Sequence, residues 1–145
     1  SEAKVTIAGV PDRPGIAASL FRRLADANVN VDMIVQNVSE DGVTDISYTA
    51  PKEDLRTSLD ITQSLADEIG ATGVTSDSDI ARVSVVGAGM KSNPGVAATM
   101  FETLAGHGIN IEMISTSAIR ISCVIAAEQL EQAVVVLHDA YGLRS

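Results

Sequence analysis

The feature that most constrains the fold is an internal repeat. Residues 14–34 read PGIAASLFRRLADANVNVDMI, and residues 94–114 read PGVAATMFETLAGHGINIEMI. Ten of the 21 aligned positions are identical and six more are close substitutions, at a constant offset of 80 residues. A repeat of this length predicts two copies of one supersecondary unit, so we expect a fold made of two similar halves.

Each half shows the order of elements that is typical of a split βαβ unit. In the first half, a strand leads into a helix after Pro14, two strands follow around a hairpin turn at 40–42, and Gly70 ends a second helix. The order restarts after the polar segment 76–79, which we predict to be the seam. The pattern is βαββαβ and then βαββα, so the closing strand of the second half is missing or supplied by the other unit. We predict an α+β protein with two ferredoxin-like units, 1–79 and 80–145, each with an antiparallel sheet and its helices on one face.

Charge and cysteine content exclude several classes of partner. The net charge is −9 over 145 residues, which argues against nucleic acid and anionic membranes, because both require a basic surface. No apolar run approaches the ~20 residues of a membrane span. The single cysteine, Cys123, rules out a disulfide framework and a zinc cluster and is compatible with a reducing cytosol. We therefore expect a cytoplasmic protein without a metal.

Motifs that would make this chain an enzyme of its own are weak. The strand-to-helix loop 87–92, GAGMKS, is similar to a dinucleotide fingerprint, but Ser92 stands at the third glycine position and the first repeat lacks the pattern. His107 and His138 have no cysteine or carboxylate motif around them. Cys123 follows the inward period of its strand and reads as a small core hydrophobe. These observations favour a tight turn, surface histidines and no catalytic site.

The loop before the first helix is the strongest candidate for a binding site. Asp12 lies just before the first-turn N–H groups of Gly15, Ile16 and Ala17, and such a helix N-terminus attracts a carboxylate. The Asp12 carboxylate could hold an ammonium group, and Gln36 on the adjacent strand offers both a donor and an acceptor. Together these groups would bind an amino acid. The alternative is that Asp12 only caps its helix.

Five strings of residues carry a family resemblance over essentially the whole chain: SEAKVTI, VPDRPG, NVDMIVQN, VVGAGMKS and EMISTSAIRIS. In these strings the chain resembles the tandem ACT-domain regulatory region of aspartate kinase, most closely the separately translated β subunit of actinobacterial-type enzymes. The resemblance implies a non-catalytic part that binds threonine, with lysine in concert, and passes feedback inhibition to the catalytic α subunit in aspartate-family amino-acid biosynthesis. It also implies a homodimer through the ACT domains, with the effector at the interface and no cofactor.

The resemblance also implies a set of effector contacts. The first unit would supply Asp12, Gly15, Ile16, Ala17, Val31, Asp32 and Gln36, and a facing second unit would close the site with Asn110 and Ile111, with Thr116 and Ser117 nearby. Relatives often have a longer loop than the hairpin at 39–42, and they extend beyond both ends of this chain, so we expect a trimmed chain. A purely structural dimerisation module without an effector remains the alternative function.

Overall fold

The structure is a computed structural model that describes residues 2–38, 41–87 and 95–142. The chain divides into two compact units, residues 1–78 and 79–145. The elements of the first unit, in chain order, are β1 (Glu2–Pro11), α1 (Ile16–Asp26), β2 (Ile34–Val38), β3 (Val43–Pro51), α2 (Leu55–Ile69) and the first part of β4 (Gly73–Val86).

The sheet of the first unit has the strand order β2-β3-β1-β4, with β1 and β3 in the centre. Strand β3 pairs antiparallel with both neighbours, so that Ile46 lies opposite Ile7 of β1 and Gln36 of β2. This order, with two helices packed on one face of the sheet, is the ferredoxin-like arrangement that the element pattern predicted. The predicted fold class is confirmed.

Strand β1 carries a bulge that changes which residues face the helices. Ile7 pairs with Ile46 but Val10 pairs with Thr44, so β1 takes three steps where β3 takes two. Gly9 lies in this bulge with a φ of 68°, and a Cβ built there would meet the Thr72 Oγ1 atom at 2.0 Å. The extra residue brings Val10 to the helix-facing side of the sheet, where it is buried in the core.

The helices of the first unit bury the apolar rows that the sequence shows. Ile16, Leu20 and Leu24 of α1 are buried, as their i,i+4 spacing predicted. They pack with buried residues of β1, β3 and α2 in one core cluster: Val5, Ile7, Val10, Val29, Ile46, Tyr48, Ala50, Leu65 and Ala66. Helix α2 ends at the predicted Gly70, which adopts the left-handed conformation.

The second unit repeats this plan as βαββα among its described residues. Its elements are the rest of β4, then α3 (Gly95–Gly106), β5 (Met113–Thr116), β6 (Arg120–Ala126) and α4 (Leu130–Ala140). The strand order is β4-β6-β5. The core contains Met100, Leu104 and Leu137 from the helices and a fully buried Cys123 from β6, which confirms the interpretation of that cysteine as a core residue.

The two units contain equivalent cross-strand hydrogen bonds between hydroxyl groups. The Thr6 and Ser47 hydroxyls lie 2.7 Å apart in the first unit, and the Ser84 and Ser122 hydroxyls lie 2.7 Å apart in the second. Both pairs join the first strand of a unit to the second strand of its hairpin. The two halves therefore share strand register as well as helix sequence.

The polar segment 76–79, predicted to be the seam, contains the boundary between the two compact units at 78/79. It is not an interruption between strands, because it lies inside the continuous strand β4. The alternating residues from Val31 to Val38 predict a strand over that whole stretch, but β2 begins only at Ile34, and before it the Asp32 N–H donates to the Thr49 carbonyl oxygen at 2.9 Å. Pro51 predicts the start of the second helix, but α2 starts after a 3-10 turn at Lys52–Asp54.

Parts of two predicted turns, residues 39 and 40 of the hairpin and residues 88–92 of the glycine loop, lie outside the described residues. In the described part of the chain, no helix has the length and apolar character needed to span a membrane.

Candidate functional site

A pocket of about 340 Å³ lies where the loop after β1 meets the start of α1. Its mouth is the loop 11–15, one wall is the first turn of α1, and its floor is formed by sheet residues of β1, β2 and β3. Small-molecule pockets usually measure ~300–1,000 Å³. The volume therefore suits a ligand as small as a single amino acid.

The wall of the pocket is a helix N-terminus that a glycine starts. Gly15 is the N-cap of α1, with φ 93° and ψ −15°, and no side chain caps the helix. Gly15, Ile16 and Ala17 all line the pocket. First-turn N–H groups have no acceptor within their own helix and carry the positive end of its dipole. The first turn contains no acidic side chain to offset that charge, so the wall favours an anionic group.

Asp12 lies at the mouth and does not cap the helix. The N-cap position falls three residues later, at Gly15, and makes no side-chain hydrogen bond. The Asp12 N–H donates to the Gly42 carbonyl oxygen at 3.0 Å, which ties the loop to the β2–β3 hairpin. The Asp12 side chain is exposed and lines the pocket. The capping interpretation is therefore wrong, and the carboxylate is available at the mouth.

The floor combines one amide, one hydroxyl and one apolar side chain. Gln36 pairs with Ile46 across β2 and β3, so the two side chains share a sheet face. Thr44 lies two residues before Ile46 on that same face and is 2 % exposed. Sequence reasoning missed Thr44, although its period-two spacing from Ile46 and Tyr48 places it on the buried face. Asp12, Gly15, Ile16, Ala17 and Gln36 are thus brought together around one pocket.

Comparison with known proteins places this geometry in a family. Family models described as ACT domain match residues 4–69 and 83–141. The regulatory subunit of aspartate kinase from Thermus thermophilus, in its ligand-free form, superposes with a TM-score of 0.90 at 41% identity, over 97% of this chain and 93% of that one. This chain belongs to the ACT-domain regulatory family of aspartate kinases.

Two further relatives support this assignment. A crystal structure of aspartokinase alpha and beta subunits contains a chain with a TM-score of 0.91 and 46% identity, over 98% of this chain and 93% of that one. The aspartokinase of Mycobacterium tuberculosis is 53% identical over 99% of this chain, which covers 34% of that protein. The chain thus spans about a third of the length of the curated relatives it matches.

The other predicted contacts of the first ACT unit do not line the pocket. Val31 is partly buried and packs against the core of its unit. Asp32 lies just before β2, where its backbone bonds to β3. Both residues precede the strand that carries Gln36, and their place in an effector site stays a prediction.

The predicted contacts of the second ACT unit lie before, at the end of and just after β5. Asn110 is exposed, and Ile111 is partly buried against the core of its unit. Thr116 is the last residue of β5 and pairs with Ile121. The Ser117 N–H donates to the Arg120 carbonyl oxygen at 2.8 Å. Thr116 occupies the repeat position of Gln36, at the same offset of 80 residues.

Residues outside the pocket show the features of structural groups. The His107 Nδ1 atom lies 2.9 Å from the Thr103 carbonyl oxygen, one helical turn earlier. Burial raises the pKa of Tyr48, whose hydroxyl bonds to Thr62, and raises the pKa of Cys123 to about 11. Among residues 2–38, 41–87 and 95–142, no group of three or more histidine, cysteine or acidic side chains could hold a metal ion.

Proposed function

We propose that this chain is the non-catalytic regulatory part of an aspartate kinase and binds threonine in the α1 pocket, with lysine acting in concert. Binding would transmit feedback inhibition to the catalytic α subunit. The observation that supports this proposal is the pocket itself, which combines an uncapped helix N-terminus, a carboxylate and an amide within the volume of a small ligand.

The chemistry of an amino acid matches these groups one by one. Its α-carboxylate would accept hydrogen bonds from the N–H groups of Gly15, Ile16 and Ala17. Its ammonium group would pair with the Asp12 carboxylate, and hydrogen bonds that involve a charged group contribute about 1.5–3 kcal/mol each. The side chain would then extend toward Gln36 and the floor.

Closure of the site belongs to the same proposal. Residues 12–15 are exposed, so the mouth of the pocket is open on the surface of the first unit. In a homodimer through ACT domains, Asn110 and Ile111 of a facing second unit would cover it. Threonine would bind the closed dimer more tightly than the open one and so shift the cytoplasmic kinase toward its inhibited state.

Calorimetric titration with threonine and with lysine, alone and together, tests effector binding. We expect heat with threonine and a change in threonine affinity when lysine is present. The same dimer with and without amino acid, with no heat from either ligand, would favour a purely structural dimerisation module.

Replacing Asp12 tests the assigned role of its carboxylate. We expect Asp12→Ala to weaken threonine binding about 10- to 100-fold, since removing a charged partner costs about 1.5–3 kcal/mol. Asp60→Ala on the exposed face of α2 is the matched control and should bind threonine normally. The unfolding temperature of Asp12→Ala should stay near that of the wild type, because Asp12 does not cap α1. Unchanged threonine affinity in Asp12→Ala would reject the assigned role.

A further inference from the structure

The floor of the pocket contains a buried hydroxyl group without a hydrogen-bond partner. The Thr44 side chain is 2 % exposed, and its Oγ1 atom contacts no donor or acceptor within the described part of the chain. Buried polar side chains in native proteins nearly always have a partner, because leaving one unpaired costs free energy. The Thr44 hydroxyl therefore has a hydrogen-bonding capacity that the described residues leave unused and that a ligand in the pocket can satisfy.

The position of Thr44 directs that unused capacity into the pocket. Thr44 lines the pocket beside Ile46 and lies opposite Val10 in the β1 register. Its two cross-strand partners, Val10 and Val38, are apolar, and Gln36 lies opposite Ile46, the next residue of β3 on the same face. A ligand held by its carboxylate at the adjacent helix N-terminus would present its side chain to a floor that offers the Thr44 hydroxyl and the Gln36 amide beside apolar side chains. A small amino acid with both a hydroxyl and a methyl group on Cβ matches this mixed floor.

The second unit shows that the fold does not require a hydroxyl at this position. Gln36 pairs with Ile46, and Thr116, its repeat equivalent, pairs with Ile121. Ile121 is therefore the equivalent of Ile46, and the residue two positions earlier, Ile119, is the equivalent of Thr44. Ile119 is 54 % exposed. Ile119 lies just before β6, so this position is apolar and exposed in the second copy, whereas in the first copy it lies within β3 and carries a buried hydroxyl.

We propose that the Thr44 hydroxyl forms a hydrogen bond with the side-chain hydroxyl of the effector and is a specificity-determining group of the site. This inference rests on the proposed function and deepens it. The helix N-terminus and Asp12 recognise what all amino acids share, whereas Thr44 distinguishes a hydroxyl-bearing side chain from an apolar side chain of similar size.

The test combines one change in the protein with one change in the ligand. Thr44→Val keeps the β-branched shape and removes the hydroxyl, and 2-aminobutyrate is threonine without its hydroxyl. We expect Thr44→Val to weaken threonine binding about 10-fold and 2-aminobutyrate binding less than about 2-fold in calorimetry, because only threonine loses a hydrogen bond. Thr44→Ser, which retains the hydroxyl, should bind threonine within a few-fold of the wild type. Without ligand, Thr44→Val should be at least as stable to urea as the wild type, since it removes an unpaired buried group.

The possible results separate this inference from the proposed function. If the wild type binds threonine but Thr44→Val weakens the binding of both ligands equally, or changes the binding of neither, the Thr44 hydroxyl does not contact the effector hydroxyl. The inference is then wrong, whereas the proposed function stands. If the wild type binds neither ligand, both are wrong. A selective loss for threonine alone supports both.

Discussion

Replacing Gly15 with alanine measures the strain that the start of α1 would impose on an ordinary residue. Gly15 has a φ of 93°, and the left-handed region costs an L-residue about 1–2 kcal/mol. A Cβ built on Gly15 meets no atom within 4 Å, so no clash adds to this cost. Alanine also lowers the entropy of the unfolded chain, which stabilises by about 0.4–1 kcal/mol. We expect Gly15→Ala to lower the free energy of unfolding by about 1 kcal/mol.

Gly73→Ala separates the effect of unfolded-chain entropy from the effect of backbone strain. Gly73 lies in the same unit, has no atom within 4 Å of its ideal Cβ, and does not adopt a positive φ. The entropy of the unfolded chain then acts alone, and this variant should be about 0.4–1 kcal/mol more stable than the wild type. The difference between the two variants, about 1–2 kcal/mol, is the strain itself.

Urea unfolding followed by far-ultraviolet circular dichroism provides the measurement. The midpoints should move in opposite directions while the slopes stay unchanged, because neither change alters the surface exposed on unfolding. Equal midpoints for the two variants would refute the argument from backbone conformation. Titration with threonine adds a second readout. Gly15 lines the pocket and Gly73 does not, so the methyl group of Gly15→Ala should weaken binding, whereas Gly73→Ala should not.

Two further predictions concern buried groups outside the pocket. Tyr48→Phe should lower the free energy of unfolding by about 1–2 kcal/mol, because it removes the 2.6 Å hydrogen bond to the buried Thr62 hydroxyl; the double variant with Thr62→Val should recover part of this loss, and a fully stable Tyr48→Phe would contradict the prediction. Burial raises the pKa of the Cys123 thiol to about 11 from an ordinary value of 9.0, so the folded state prefers the neutral thiol. This contribution to stability is complete below about pH 9 and is lost as the pH rises toward 11. A thiol reagent should label Cys123 at pH 8 only after unfolding, and rapid labelling of the native chain would contradict the assignment.

Helix rows and turn residues carried enough information to predict most of the fold. The repeat, the apolar row of α1 and the stop at Gly70 all follow from local sequence, and the structure contains each of them. The segment 76–79 could not be predicted in this way. Its serine and aspartate residues have low intrinsic preference for strands, and only pairing with neighbouring strands places such residues in a sheet.

The candidate site was likewise predictable from the sequence only in part. Asp12, Gly15 and Gln36 were identified because their chemistry is visible in the sequence beside a helix start. Thr44 was not, since one threonine in a strand looks like an ordinary β-branched residue until the cavity and the missing hydrogen-bond partner are known. The N-cap could not be assigned either, because the choice between Asp12 and Gly15 depends on backbone angles.

The bulge in β1 makes the length of this segment important when related sequences are compared. An in-frame loss of one codon between Ile7 and Val10 would remove the extra step of β1 and return the position of Val10 to the opposite sheet face. The pocket would then lose part of its floor, even if Asp12 and Gln36 were both retained. A duplicated copy can therefore keep every contact residue and still lose the site through a change in segment length. Insertions and deletions in this short stretch, more than residue identities, should distinguish the effector-binding copies from those that only complete the fold.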